Sequence, residues 1–150
     1  MIKTIVFGEK EEKFKASAAT SILYKRLFKE EVQERLTEYS KNTKEIRKLQ
    51  AELLAVRALE DSEEKQEKMQ DISTKLLPLN SFVEDFVPKF AYITWLEANC
   101  TNGEVFTKLT EADFFAWLME HESKDFTTIS KDLLELWTEN AKPSVKAKNQ

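Results

Sequence analysis

Glycine and proline are scarce in this sequence of 150 residues, which contains two glycines and three prolines. A β-sandwich or barrel needs many tight turns, and such turns depend on both residue types. The composition therefore argues against a sheet-rich architecture. Since a chain of this length has room for one core of ordinary size, residues 1–150 are predicted to form a single, mainly α-helical domain.

Cysteine and histidine occur once each, as Cys100 and His121. One cysteine cannot close a disulfide within the chain, and the two residues cannot supply a His/Cys metal cluster. We therefore expect neither a metal nor a cofactor. Cys100 is interpreted as a half-buried structural residue, and His121 as an exposed residue at the end of a helix.

Catalytic motifs are also missing, since the sequence has no glycine-rich phosphate loop, no Gly-x-Ser-x-Gly and no His-Glu-x-x-His. The segment Glu120-His121-Glu122 contains both carboxylates and an imidazole. Adjacent side chains on a helix, however, point about 100° apart and do not converge. No catalytic residue is assigned, and we expect a protein that is not an enzyme.

Positive charge is not in excess, because 23 basic residues face 27 acidic ones and the net charge is −4. This balance disfavours binding to nucleic acid or to anionic lipid. No apolar run approaches the roughly 18 residues of a membrane span, and the apolar run at residues 1–7 is too short for a signal peptide. The sequence predicts a soluble cytoplasmic protein without a membrane partner.

The N-terminal region contains β-forming residues followed by a helical pattern. Residues 2–7 and 13–16 predict a β-hairpin (residues 1–16) whose turn comprises Gly8 and the charged residues 9–12. Phe7 and Phe14 are expected to cover helices or to pair with another subunit, because two strands alone are marginal in water. A helix over residues 20–39, continuous or restarted near Glu31, is predicted with Thr20 as N-cap.

Residues 40–77 form a charged segment with no aromatic residue, and we call it the arm. Apolar residues recur at helical spacing on both sides of residues 60–68, which contain none. Asp61 and Glu64 resemble a capping box, so a helical hairpin turning near Asp61 is predicted. The alternative is one rod of about 54 Å.

Residues 80–139 hold most of the aromatic residues, eleven of sixteen between Phe82 and Trp137, and are predicted to form a helical core. A helix starting near Val87 is favoured, with Pro88 in its first turn; the alternative is a longer helix kinked at Pro88. A loop is expected at residues 99–103, a helix after an N-cap at Thr110, and a last helix over residues 128–139. Residues 140–150 are predicted to be a flexible tail.

Two adjacent pairs of apolar residues on the helix after Thr110 are the most suggestive feature of this half. Phe114, Phe115, Trp117 and Leu118 cover more than half of a helix circumference, so they cannot all face one core. Part of this surface is expected to contact a partner or a second copy of the chain.

Several motifs, taken in order, resemble those of tail assembly chaperones of long-tailed (siphovirus-type) phages and prophages of Gram-positive bacteria. They are Lys15-Ala16-Ser17-Ala18-Ala19-Thr20 before a helix with Tyr24 and Phe28, then Phe90-Ala91-Tyr92-Ile93, residues 110–118, Leu133-Leu134-Glu135-Leu136-Trp137, and the closing Val145-Lys146-Ala147-Lys148-Asn149. The arm is longer than is usual in that family.

The resemblance implies a non-enzymatic protein of the host bacterial cytoplasm. It implies binding to the tape-measure protein, which is kept soluble, recruitment of tail-tube subunits, and absence from the mature virion. The face expected to contact the tape-measure protein comprises Phe114, Phe115, Trp117, Leu118 and Trp137. Formation of a homo-oligomer is left open. The alternative hypothesis is a helical adaptor or regulatory protein that dimerises through the arm, residues 40–77.

Overall fold

A computed structural model describes residues 1–141, and within them two strands and six helices follow one another. They are β1 (Ile2–Phe7), β2 (Lys10–Lys15), α1 (Ala19–Phe28), α2 (Val32–Arg57), α3 (Glu63–Asn99), α4 (Asn102–Thr107), α5 (Glu111–Leu118) and α6 (Ser123–Ala141). This architecture confirms the prediction of a mainly α protein with an N-terminal β-hairpin. Among the helices of residues 1–141, none combines the length and apolar character needed to span a bilayer.

The described chain divides into two compact units. Of the described residues, unit 1 contains 1–32 and 87–141, and unit 2 contains 33–86. The assignment of the whole chain to one domain stays a prediction. The prediction of a tail from residue 140 was wrong for its first two residues, which belong to α6, and the rest of the predicted tail lies outside the described residues.

The hairpin of unit 1 turns more tightly than predicted. Only Gly8 and Glu9 separate the antiparallel strands, and Phe7 pairs with Lys10. Gly8 has φ 66°, a left-handed conformation that glycine adopts without a Cβ penalty. The prediction of a turn reaching residue 12 was therefore wrong, because this two-residue turn lets the charged residues 10–12 pair with β1. Phe7 and Phe14 are both buried, as expected.

The predicted helix 20–39 consists of parts of two helices. Lys29 adopts φ 61°, and its N–H donates to the carbonyl of Lys25, which closes α1 before α2 restarts at Val32. The N-cap assignment was also wrong, because Thr20 lies inside the first turn of α1. Ala18 occupies the N-cap position and makes no side-chain cap.

Unit 2 is a helical hairpin, so the single-rod alternative was wrong. The helix α2 ends at Arg57 and α3 begins at Glu63. Ser62 caps α3 by accepting the N–H of Lys65 at 3.1 Å, one residue after the predicted capping position. Asp61 instead forms an ion pair with the Lys65 ammonium at 3.0 Å.

Contacts between the two helices of unit 2 show that they lie antiparallel. The ring of Tyr39, on α2, lies 5.9 Å from that of Phe86, on α3. The guanidinium of Arg35 lies 5.7 Å from the ring centroid of Phe82. Further toward the turn, Leu49 and Ile72 are buried.

Pro78 and Pro88 both lie within α3, so the favoured start near Val87 was wrong and the alternative of a longer helix through Pro88 is the one present. Each proline lacks the N–H that would donate to the carbonyl four residues earlier. That carbonyl belongs to Thr74 for Pro78 and to Glu84 for Pro88. Both of those residues are exposed, so water can satisfy their carbonyls. The long amphipathic pattern therefore prevails over the local tendency of proline to end a helix.

The C-terminal helices agree with the capping signals and differ at their starts. Thr110 caps α5, because its hydroxyl accepts the N–H of Asp113 at 3.1 Å as predicted. The helix α4 begins inside the predicted loop, where the Thr101 hydroxyl accepts the Glu104 N–H. The helix α6 starts at Ser123, five residues before the predicted start, because the Asp125 carboxylate accepts the backbone N–H of the preceding turn.

Candidate partner-binding surface

The aromatic residues of unit 1 form its interior. Trp117, on α5, lies 5.7 Å from the ring of Phe7 and 5.6 Å from that of Phe126, which joins α5 to the hairpin and to α6. Tyr92, on α3, lies 5.2 Å from Trp117. These rings bury large apolar areas in edge and tilted contacts, which favours a rigid core.

The five residues predicted to contact a partner are divided between this core and the surface. Phe114 and Trp117 are each only 6% exposed. Leu118 and Trp137 are half-buried, and the Trp137 ring contacts that of Phe90 at 6.0 Å. Phe115 is 55% exposed, so it offers the largest accessible fraction of the set.

Sequence reasoning could not separate Phe114 from Phe115, because the two are adjacent on one helix. Their different exposure follows from α1, where the Phe28 ring meets that of Phe114 edge-on at 4.9 Å. Tyr92 contacts Phe114 from α3 at 5.3 Å. Phe114 therefore points into unit 1, and Phe115 is left on its outer side.

Two further apolar residues of unit 1, one on α4 and one after α5, are exposed and were not predicted from the sequence. Met119 follows the last residue of α5 and is 84% exposed, one turn after Phe115. Phe106, on α4, is 56% exposed and lies 5.1 Å beneath the guanidinium of Arg26. We call Phe106, Phe115 and Met119 the apolar surface of α4 and α5.

This surface is carried by a well-anchored scaffold. The Tyr92 hydroxyl donates to the carbonyl of Lys108 at 2.6 Å and thereby fixes the link between α4 and α5. Burial, followed by the nearby Asp113 carboxylate, raises the pKa of the Tyr92 phenol well above its usual range. Tyr92 therefore stays protonated and keeps donating this hydrogen bond at neutral pH.

A second anchor joins the start of α1 to the end of α3. The Ser17 hydroxyl donates to one carboxylate oxygen of Glu97. The Thr20 hydroxyl donates to the other oxygen over 2.6 Å. Burial raises the pKa of Glu97, although the two hydroxyls, Lys15 and the N-terminal ammonium act in the opposite direction. The Ser and Thr of the Lys-Ala-Ser-Ala-Ala-Thr motif thus hold a distant helix.

Ionic contacts also connect elements of unit 1. The Lys3 ammonium lies 3.0 Å from a carboxylate oxygen of Glu135 and 3.5 Å from one of Asp132, which ties β1 to α6. Glu30 accepts hydrogen bonds from the Tyr24 hydroxyl at 3.0 Å and from the Lys89 ammonium at 3.2 Å. These contacts connect the segment after α1 with α3.

His121 and Cys100 have different environments. The prediction of an exposed histidine at a helix end was wrong, because His121 lies beyond α5, is half-buried, and stacks on Phe7 with ring centroids 4.2 Å apart. Cys100 is half-buried as expected, and burial raises the pKa of its thiol, which disfavours the reactive thiolate. Within residues 1–141, no group of three His, Cys, Asp or Glu residues is arranged to hold a metal ion.

Comparison of the chain with protein-family models, with curated proteins and with solved structures finds no match.

Proposed function

We propose that this protein is a non-enzymatic tail assembly chaperone that binds the tape-measure protein of a phage or prophage. The proposal combines the motif resemblance with one structural observation, the exposed apolar surface of α4 and α5. A tape-measure protein presents apolar stripes on long helices, and an apolar surface on a helical protein can cover such a stripe reversibly. In this proposal the protein acts in the host bacterial cytoplasm, helps recruit tail-tube subunits and leaves before the virion is complete.

The apolar surface of α4 and α5 is a better candidate for the client contact than the five residues predicted from sequence. Phe114 and Trp117 are buried in the core, and their substitution would destabilise unit 1 as well as remove a contact. Phe115 and Met119 can be changed without that effect because they are exposed. A binding defect in such a variant would therefore report on the contact itself.

The test is co-expression with the tape-measure protein encoded in the same genome. The amount of soluble client that purifies with the chain is compared for the wild type and for a Phe115→Ser, Met119→Ser double variant. The matched control is Leu54→Ser with Leu77→Ser, two residues of unit 2 that are 67% and 69% exposed. We expect the α5 variant to lose the client and the control to retain it.

Two outcomes would contradict the proposal. A client that stays soluble without the chain needs no chaperone. A client that precipitates while the wild-type chain remains free is not its partner.

A second candidate function, an adaptor that dimerises through its arm, is favoured by exposed leucines on unit 2. Leu54, Leu59 and Leu77 are all at least half exposed. A charge at Leu49 is a poor test because that side chain is buried inside the hairpin. Leu54→Glu with Leu77→Glu should convert a dimer to a monomer in analytical ultracentrifugation, whereas an unchanged molecular mass would rule out dimerisation through these leucines.

A further inference from the structure

A cavity of about 500 Å³ opens in unit 1 and has no part in the proposed client contact. It is bounded by the turn of the β-hairpin, by Trp95 on α3 and by the segment that links α5 to α6. Gly8 brings the hairpin turn close to this segment, since a Cβ added there would lie 3.5 Å from a carboxylate oxygen of Asp125. We call it the hairpin-turn cavity.

Four aromatic rings line the hairpin-turn cavity. His121 stacks on Phe7, and the Trp117 ring lies 4.9 Å from that of His121. Trp95 extends the same wall, with its ring 5.8 Å from Trp117. Phe7 and Trp117 are buried beneath, while Trp95 and His121 keep part of their surface accessible. Of these rings, the partly accessible indole of Trp95 is of the kind whose face attracts a cation.

The charged lining of the cavity is predominantly acidic. Five carboxylates and two ammonium groups line it, an excess of three negative charges. The carboxylates belong to Glu9, Glu12, Glu120, Glu122 and Asp125. One of the two ammonium groups, that of Lys124, is already paired with Glu122 at 3.1 Å.

The five carboxylates have different roles. Glu12 accepts the indole N–H of Trp95 at 3.2 Å, and Asp125 accepts the backbone N–H of Glu122 at 3.1 Å, so these two hold the walls in place. Glu9 and Glu120 form no ion pair within residues 1–141. They remain available to a ligand that enters the cavity.

We infer that the hairpin-turn cavity binds an arginine side chain presented by a protein partner. A guanidinium is planar, stacks on aromatic faces and donates two parallel hydrogen bonds to a carboxylate, so it matches both the rings and the acidic lining. The volume exceeds what one small cation fills and suits a side chain with its flanking backbone. This inference concerns the chain alone and holds whether or not the client is a tape-measure protein.

Binding can be measured with a short peptide, acetyl-Gly-Arg-Gly-amide, titrated into the full chain labelled with ¹⁵N. The three tryptophans provide three indole N–H signals, of which Trp95 and Trp117 line the cavity and Trp137 does not. We expect the first two signals to shift in a saturable manner while that of Trp137 stays in place. The matched probe is the peptide with citrulline in place of arginine, which keeps the shape and removes the charge, and it should cause no shift.

A charge-neutral double variant, Glu9→Gln with Glu120→Gln, tests the acidic lining. Both side chains are exposed, so the fold should persist, and the dispersion of the amide spectrum checks this. The Kd for the arginine peptide should rise about three- to tenfold, because two partly exposed charge contacts are removed. The control Glu45→Gln with Glu52→Gln in unit 2 makes the same change in net charge and should leave the Kd unchanged.

Three results would overturn the inference. Equal binding of the citrulline peptide would show that charge is not recognised. Equal shifts at Trp137 would show nonspecific association. An unchanged Kd in the Glu9→Gln, Glu120→Gln variant would show that the carboxylates of the hairpin-turn cavity are not involved.

Discussion

Units 1 and 2 are stabilised by different kinds of side chain. Among the described residues, 21 buried apolar side chains belong to unit 1 and five to unit 2. The five are Leu36, Tyr39, Leu49, Ile72 and Phe86. Unit 1 also contains the partly buried hydrogen bonds of Glu97 and ion pairs that join β1 to α6, whereas the ion pairs of unit 2, such as Lys68 with Glu64, are exposed and join neighbouring turns of one helix.

This difference indicates how each unit should unfold. Exposed ion pairs one helical turn apart contribute only a few tenths of a kcal/mol each, roughly 0.3–0.5. A helical hairpin with few buried residues therefore depends on each of them, and local opening should cost less free energy there than in an aromatic core. Unit 2 is expected to open before unit 1 in native-state hydrogen exchange.

The largest effect is expected from a substitution in the core of unit 1. Trp117→Ala removes a ring that contacts the hairpin, α3 and α6, so the free energy of unfolding should fall by about 3–5 kcal/mol. Urea denaturation followed by circular dichroism measures the loss. Phe115→Ala, on the same helix but exposed, is the control and should change the stability by about 0.5 kcal/mol or less. Equal losses in both variants would contradict the placement of the two rings.

A somewhat smaller effect is expected at the centre of unit 2. Leu49→Ala deletes one of five buried apolar side chains there and should cost about 2–3 kcal/mol. Hydrogen exchange should accelerate for amides of residues 33–86 and stay slow in unit 1. Leu54→Ala, exposed on the same helix, should leave exchange unchanged. Uniform acceleration over both units in the Leu49 variant would show that they do not open separately.

The anchor between α1 and α3 is expected to contribute less to the free energy of unfolding than these apolar contacts. Thr20→Val removes the hydroxyl that donates to Glu97 and leaves one oxygen of a half-buried carboxylate without that partner, a loss of about 1–2 kcal/mol. Thr128→Val, at an exposed hydroxyl on α6 that bonds only its own helix, is the matched control. Equal unfolding midpoints for the two variants in urea would contradict a role for the anchor.

The smallest expected effect is a pH dependence of the unfolding free energy that arises from Glu97, the carboxylate of the same anchor. The pKa of Glu97 is raised in the folded protein, so protonation stabilises the fold: the contribution is fully present below the ordinary carboxyl pKa and is lost as pH rises through the folded pKa. The Glu97→Gln variant should lack this pH-dependent contribution to the free energy of unfolding. The unfolding free energies of wild type and variant, measured between pH 4 and 7, should therefore converge or cross; parallel curves would show that Glu97 does not titrate with a raised pKa.

Local patterns allowed some elements to be predicted from the sequence. The capping pair of Thr110 and Asp113 marks a helix start within four residues of chain, and the structure contains it. The short helix α4 carries the same kind of signal in Thr101 and Glu104. It was missed because Asn102 and Gly103 are typical of loops.

Other features depend on tertiary contacts that no local pattern contains. The prolines of α3 lie between buried residues of the same helix, among them Ile72, Phe86 and Phe90, whose tertiary contacts favour a continuous helix. Ser17 and Glu97 meet across 80 residues of chain. The candidate surface shows the same limit, since only the contact of Phe28 with Phe114 decides that Phe115 is the exposed neighbour.

The antiparallel pairing of α2 with α3 also constrains how the length of the arm can change during evolution. An insertion in one helix alone would shift the contacts beyond it, including that of Tyr39 with Phe86. A matched insertion in both helices, about seven residues in each, would return the apolar face to the same side and move the turn outward by roughly 10 Å. Relatives of this chain should therefore differ in arm length by paired steps of about two helical turns, symmetric about residues 58–62.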